Sequence, residues 1–338
     1  MKQAAWLLLA LVPAATAAAD AGLGSPAVFA PASTPAYVIR DLALLVIAVC
    51  AVILFSVGGL LAWSVIRFRA RPGDAAREPA QIYGSGPIEL AWTLVPAIIV
   101  VILFLATARS IFDLQKEQAP AGWLQVDVVG HQWWWEFRYP GAGVTTANEL
   151  HLPVSTATQS QPVFLRLESA DVIHSFWVPR LAGKQDAIPG KRNGLWVEAL
   201  EAGTYVGQCA EFCGTQHAGM RLRVIVHPPG EFERWLDSQR GPAVTDPAVA
   251  DGRALFERTA CINCHRVAGT VANGTVGPDL THLMSRSTLA SGVARNDGET
   301  LRRWLRDPNH LKPGVLMPAM QLGERDLDRV VAYLMTLQ

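Results

Sequence analysis

Two long apolar runs stand near the start of the chain. Leu42 to Ile66 is uncharged over about 25 residues, enough for a tilted membrane-crossing helix, and Leu90 to Ala108 over about 19, near the minimum length. Either run alone would also suit a buried core helix. Two in succession, bounded by Arg67 and Arg109, predict a transmembrane hairpin within residues 38–112, with helices at about 42–66 and 89–110. From Trp123 the pattern changes. WLQVDVVGHQWWWEFRY, PVFLRLES, GLWVEAL, GTYVGQC and MRLRVIVHP are short β-branched or aromatic segments, several strictly alternating and set apart by Gly, Pro and Asn. They predict a compact antiparallel β-sandwich or barrel, closed by a short helix, EFERWLDSQ, within residues 123–238. RGPAVTDPAV, residues 240–249, reads as a linker. Beyond it Asp246 is a cap candidate ahead of Val249, Leu255 and Phe256 at helical spacing, and ETLRRWLRDP and ERDLDRVVAYLMTL are two further amphipathic helices. Residues 246–338 therefore form a small all-α domain.

The ends and loops of the hairpin set an expected orientation. Residues 1–19, MKQAAWLLLALVPAATAAA, have one lysine, an apolar core and an alanine tail, the pattern of a cleaved signal peptide; a short extra membrane helix is the alternative. The loop between the apolar runs carries Arg67, Arg69, Arg71 and Arg77 against Asp74 and Glu78. Short Arg-rich loops stay in the cytoplasm. The mature N-terminus and everything after residue 110 are thus expected on the periplasmic side of a bacterial inner (cell) membrane, where disulfides are permitted.

Composition narrows the classes. Lys+Arg and Asp+Glu both number 29, so the chain lacks the basic surplus of a nucleic-acid binder. A charged fraction of 17% lies between soluble and polytopic membrane proteins, as an anchor carrying soluble domains requires. Of the five cysteines, Cys50 stands alone in the first apolar run and is expected to be a small buried hydrophobe.

The other four lie in two clusters. CINCH, residues 261–265, is the Cys-x-x-Cys-His pattern of covalent heme attachment: Cys261 and Cys264 add to the porphyrin vinyl groups, and His265 reaches the iron. A thioredoxin-like disulfide would need a preceding strand and no histidine. The second axial ligand is expected from HLKPGVLMPAM, where Met317, between a Lys-Pro-Gly turn and Pro318, is favoured over Met320; thioether ligation raises the iron's potential. Pro278, in GPDLTHL, could accept the His265 Nδ1 proton and fix the ring.

QCAEFCGTQHAGM, residues 208–220, is the second cluster. Cys213, His217 and Met220 have the spacing of a cupredoxin copper loop, and thiolate, imidazole and thioether suit electron-transfer copper. A further histidine must come from elsewhere: His174, after the strand PVFLRLES, or else His131 or His151. Cys209 supplies a second thiolate, which would let two sulfurs bridge two coppers, with Met220 and a main-chain carbonyl such as that of Glu211 as weak outer ligands. A disulfide would account for the cysteines but not for His217 and Met220. Zinc does not favour thioether.

Residues 246–338 resemble a class I cytochrome c, through Cys261, Cys264, His265, Gly277-Pro278 and Met317-Pro318. The hairpin and the loop C-A-E-F-C-G-T-Q-H-A-G-M, over about residues 35–238, resemble subunit II of heme-copper cytochrome c oxidases, and with the fused cytochrome the whole is similar to subunit II of a caa-type oxidase. The resemblance implies a multidomain fold: a two-helix transmembrane hairpin, a cupredoxin-like β-sandwich, then an all-α class I cytochrome c domain. It implies a binuclear copper (CuA) centre on His174, Cys209, Glu211 (main chain), Cys213, His217 and Met220. It implies that Trp133, in GHQWWWEF, is where electrons come in; in a single strand Trp133 and Trp135 would face one side and Trp134 the other. It implies that the Glu211 carboxylate joins a magnesium site shared with subunit I. Glu89, at the cytoplasmic end of the second helix, would be either an end cap or, as the resemblance implies, the mouth of a proton pathway. The expected function is electron input to a proton-pumping terminal oxidase, from heme c to CuA to the heme of subunit I, where oxygen is reduced to water. Expected partners are subunits I and III, membrane lipid, and an external donor such as a cytochrome c or other periplasmic redox protein. A membrane-anchored electron-transfer protein without a catalytic partner, or the CuA subunit of a nitric oxide reductase, are the alternatives.

Overall fold

The computed structural model describes residues 27–69, 81, 83–116, 118–243 and 246–338. The expected signal peptide, and Arg71, Asp74, Arg77 and Glu78 of the arginine-rich loop, lie outside the described residues. The two apolar runs form helices α1 (Thr34–Arg67) and α2 (Gly86–Leu114). Both outrun the predicted spans, and α1 starts at a cap ahead of its apolar run. Ser33 precedes Pro35 in the first turn of α1 and accepts a hydrogen bond from Ala36 N at 3.3 Å. Most of their surface is uncovered by the rest of the chain, as expected of helices apolar all round that a bilayer or other subunits cover. Cys50 is exposed on α1 rather than buried. In a helix without a polar face, apolar character does not predict burial within the same chain.

The hairpin is pinned to the next domain at two places. Ala32 N donates to Arg180 O at 2.8 Å, Leu200 N donates to Ala32 O at 2.9 Å, and Ser33 bridges to Ala199. At the far end of α2, Trp196 Nε1 donates to Leu114 O at 3.0 Å.

That domain has ten strands: β1 (Leu124–His131), β2 (Trp134–Tyr139), β3 (Val144–Ala147), β4 (Glu149–Pro153), β5 (Val163–Ser169), β6 (His174–Trp177), β7 (Gln185–Ala187), β8 (Asn193–Val197), β9 (Gly203–Cys209) and β10 (Arg221–His227). They form two five-stranded sheets, ordered β3-β2-β1-β5-β8 and β4-β10-β9-β6-β7. The core between them holds Trp135, Phe137 and Tyr139 from alternate positions of β2, facing Phe176, Leu150 and Leu222. The expected antiparallel sandwich is in fact mixed. β1 pairs parallel with β5, and β4 parallel with β10. Turn residues report only hairpin neighbours, whereas parallel partners are brought together by crossovers that leave no local signal.

GHQWWWEF is not one strand. β1 ends at His131, Gln132 and Trp133 make the turn, and β2 begins at Trp134. Trp133 is therefore free to leave the strand alternation and point at the cysteine loop. Helix α3 (Glu231–Ser238) covers one end of the sandwich, with Trp235 stacked on His151 at a centroid distance of 3.9 Å.

The last domain comprises α4 (Ala250–Arg258), α5 (Cys261–Cys264), a small hairpin of β11 (Thr288–Leu289) and β12 (Ala294–Arg295), α6 (Gly298–Arg306), α7 (Pro308–Leu311) and α8 (Glu324–Leu334). α4 and α8 cross at Gly252, where an added Cβ would lie 3.0 Å from Tyr333 Cβ, so only glycine admits the close approach. Phe256, Leu301, Leu305, Leu327, Val330 and Tyr333 fill the core. Asp297 and Asp307 cap α6 and α7 by accepting from Thr300 N and Asn309 N.

Candidate metal centre

The loop from β9 to β10 closes on itself through Cys209 N donating to Met220 O at 3.1 Å. Its side chains then converge. Cys209 Sγ and Cys213 Sγ lie 3.8 Å apart as free thiols. His174 Nδ1, from the first residue of β6, is 3.9 Å from Cys209 Sγ. His217 Nδ1 is 3.7 Å and Met220 Sδ 3.8 Å from Cys213 Sγ, while the main-chain oxygen of Glu211 is 3.2 Å from Cys209 Sγ. The ligand atoms of His174, Cys209 and Cys213 lie within 4.8 Å of one another, and all three residues are buried, as is Met220. His131 and His151 go elsewhere: His131 pairs with Glu136 at 3.1 Å and stacks on Trp134, and His151 Nδ1 meets His227 Nε2 at 2.8 Å.

A second layer holds this one, and most of it leaves no mark in the sequence. Asp171 Oδ1 lies 2.8 Å from His174 Nε2, which leaves Nδ1 turned to the thiols. Asp171 Oδ2 accepts from Gln132 N at 2.6 Å, and the Cys213 carbonyl accepts from Gln132 Nε2 at 2.8 Å and Trp133 Nε1 at 2.9 Å. The β1–β2 turn thus grips both the imidazole's carboxylate and the thiol loop. Gly130 lets β1 pass over the His174 ring; a Cβ there would sit 2.7 Å from His174 Cδ2. An Asp three residues before a candidate ligand histidine was the one available clue to this layer.

The charges fit a cation. Burial works against a charged His174, but the Asp171 carboxylate and Cys209 outweigh it and raise its affinity for a proton. Cys213 hydrogen-bonds Cys209 and, with His174 and the Ser175 and Glu211 backbone, holds the Cys209 thiol well below the usual range. A site that stabilises thiolate beside a neutral-donor set of imidazole and thioether suits copper, and the Asp171–His174 pair is the outer support that metal-bound histidines carry.

The heme motif is also built. His265 Nδ1 lies 2.7 Å from Pro278 O, as expected, which leaves Nε2 as the free ligand atom. A Cβ on Gly277 would lie 2.5 Å from His265 Cε1, so glycine is needed beside the ring. Burial lowers the affinity of His265 for a proton. Cys261 and Met317 pack against the same core, and Met320 is not among the residues that do so. Donor set and cradle both fit a c-type heme. Glu89 turns its carboxylate back onto the start of α2, where Oε1 accepts from Ser85 N at 3.2 Å, the geometry of an end cap. The Glu211 side chain is exposed.

The donors are those of an electron-transfer copper site: thiolate, imidazole and thioether within one buried cluster. With the heme motif and the apolar helix pair, it defines a membrane-anchored electron-transfer protein. Comparison with known proteins narrows this. Residues 19–109 match the family "Cytochrome C oxidase subunit II, transmembrane domain", residues 144–227 its "periplasmic domain", and residues 249–338 "Cytochrome c". A cytochrome c oxidase subunit 2 of Alkalihalophilus pseudofirmus is 35% identical over 305 residues, covering 88% of this chain and 85% of that one. The Bacillus subtilis subunit 2 is 30% identical over 355 residues, covering 98% and 97%. The periplasmic domain of oxidase subunit II from Bradyrhizobium japonicum, a solved structure, is 30% identical, covering 36% of this chain and 97% of that chain, with a TM-score of 0.34. The chain belongs to the cytochrome c oxidase subunit 2 family. It is subunit II of a heme-copper oxidase with its own cytochrome c domain, and works within an oxidoreductase complex alongside other oxidase subunits.

Proposed function

We propose that this chain takes electrons from an external periplasmic donor, such as a cytochrome c, at a heme c on Cys261, Cys264, His265 and Met317, and hands them through a binuclear copper centre to subunit I. The observation that carries the reading is the 3.8 Å separation of two buried thiols, each with its own imidazole Nδ1 within 4 Å. When bound, the heme and the copper pair each take up and release single electrons. The residues supply the rest. Cys209, Cys213, His174, His217, Met220 and the Glu211 carbonyl would hold the copper pair. Asp171 holds the His174 Nε2 proton and so its tautomer, Pro278 O holds that of His265 Nδ1, and buried Met220 keeps water from the thiols.

The same reading assigns Trp133 to electron acceptance, the Glu211 carboxylate to a magnesium site shared with subunit I, and Glu89 to the mouth of a proton pathway. It places both folded domains on the periplasmic side, with subunits I and III as neighbours. Metal and heme analysis with EPR tests it. A mixed-valence two-copper signal and a low-spin c-type heme are expected, and Cys209→Ser should abolish the first while leaving the second. Survival of the two-copper signal in that variant would sink the assignment.

A further inference from the structure

The cytochrome domain sits on the Trp133 turn and the cysteine loop, and its grip is unusually polar. Glu149, buried at the start of β4, accepts from Ser287 N at 2.9 Å and Ser287 Oγ at 2.6 Å, and from Thr288 N and Oγ1 at 3.0 Å each. Arg223 Nη1 donates to Ser287 Oγ at 2.9 Å. Further along the same hairpin, Arg221 N donates to Ser291 O at 3.2 Å and Ser291 Oγ to Trp133 O at 2.7 Å. Ala290 and Ser291 both have positive φ, 53° and 60°, so the hairpin tip is bent in a way side chains resist. From the other side Lys312 Nζ donates to Trp133 O at 2.7 Å and Ser291 Oγ at 3.0 Å. Next to it Gln216 Nε2 donates to Pro313 O at 2.6 Å, and Gly314 lies against Thr215, where a Cβ would come within 2.9 Å of Cγ2.

Lys312 is 2% exposed, and its hydrogen-bond partners are uncharged oxygens. Burial pushes the Lys312 amine down to about 7, and an apolar side chain of similar length would cost less stability. What it gains is direction: Nζ donates to Trp133 O, Ser291 Oγ and Ala290 O, and so ties the hairpin tip to the carbonyl of the residue whose indole touches Cys213 O. Five residues on is Met317.

We infer that Glu149, Ser287–Ser291 and Lys312 form a clasp that holds the cytochrome domain on Trp133, so that a free protein donor is shut out from that residue and must reduce the attached domain first. Lys312 is the positioning residue of the clasp. Trp133, at 7% exposure, is covered rather than offered to solvent. The inference rests on the copper and heme reading above for its electron-transfer part, while the clasp itself stands on the contacts between the domains.

The test uses the full-length, metal-loaded and heme-loaded protein with Lys312→Met, Glu149→Gln and both together. Hydrogen exchange of residues 287–291 reads docking without reference to any metal. Each single change removes or weakens a partner in buried hydrogen bonds and should lower protection there about tenfold. Stopped-flow mixing with reduced soluble cytochrome c reads the route. In the wild type the heme band should change before the copper band; in the double variant that lag should shorten or vanish, with heme potential and both spectra unaltered. Wild-type exchange at residues 287–291 as fast as in an open chain, or an unchanged lag in a double variant that has lost protection, would overturn the clasp. A wild type with clasp protection but no two-copper signal would refute the copper assignment instead, and with it the shut-out route.

Discussion

Asp171 and His174 form a carboxylate–imidazole pair, Oδ1 to Nε2 at 2.8 Å, that leaves Nδ1 facing Cys209. Asp171 also takes the Gln132 amide, so one side chain registers the imidazole to the turn that carries Trp133. Asp171→Asn keeps the size and can present a donor to Nε2, which favours the wrong tautomer. Copper affinity should fall about 10- to 100-fold, measured by competition with a copper chelator, while heme content stays normal.

Gly130→Ala puts a methyl group 2.7 Å from the His174 ring. The ring must shift or β1 must move, at a cost of about 1–3 kcal/mol. Thermal unfolding of the sandwich should come earlier, and the copper EPR signal should broaden or vanish. Gly141→Ala, where a Cβ meets nothing within 4 Å, is the control and should be silent in both measurements.

Gly277→Ala crowds the His265 ring. Heme should remain covalently attached, as mass spectrometry would show, yet lose its low-spin spectrum because the imidazole is displaced. Met317→Ala should give the same spectral loss with His265 in place. Met320→Ala should not, and a low-spin spectrum lost in Met320→Ala but kept in Met317→Ala would reverse the axial assignment.

His151 and His227 predict an acid limit for the sandwich. Burial, then the neighbouring His227 and Arg286, holds His151 well below the ordinary 6.5, and burial lowers His227 too. Above 6.5 both rings are neutral folded or unfolded, so their titration leaves stability independent of pH. Below it the unfolded chain takes up protons that the folded chain resists, so stability falls as pH falls. The melting temperature should drop from about pH 6.5 downward. His151→Gln, which loses the stack on Trp235, should melt lower at neutral pH but with a shallower pH slope. An unchanged slope would assign the acid limit to other groups.

Much of the architecture could be read from the sequence because its signals are local. The apolar runs, CINCH and the spacing from Cys209 to Met220 each lie within one segment, and the ligand spacing survives because a single loop carries it. What was missed is what two distant segments do to each other. Gly130 reads as a strand glycine until β6 passes beneath it. Lys312, in a Lys-Pro-Gly turn, reads as solvated and becomes buried only when two domains meet. The parallel pairing of β1 with β5 has no turn to announce it. Cys50 erred the other way, since its neighbours are apolar but its surroundings lie outside the chain.

The two attachments of the helix pair carry a mechanical consequence. The strap at Ala32–Ser33 and the bond from Trp196 to Leu114 hold the sandwich near opposite chain ends of the hairpin, and Thr34 Oγ1 adds a bond of 2.6 Å to Glu198 Oε2 beside β8. A rigid body fixed at two points keeps only one rotation, about the line joining them. The seat of the sandwich on the helix pair is thus set by covalent geometry and a few hydrogen bonds around β8, and the thiol loop between β9 and β10 inherits it. Loosening Ser33 or Trp196 would therefore be felt there as angular play, at a site that neither residue touches.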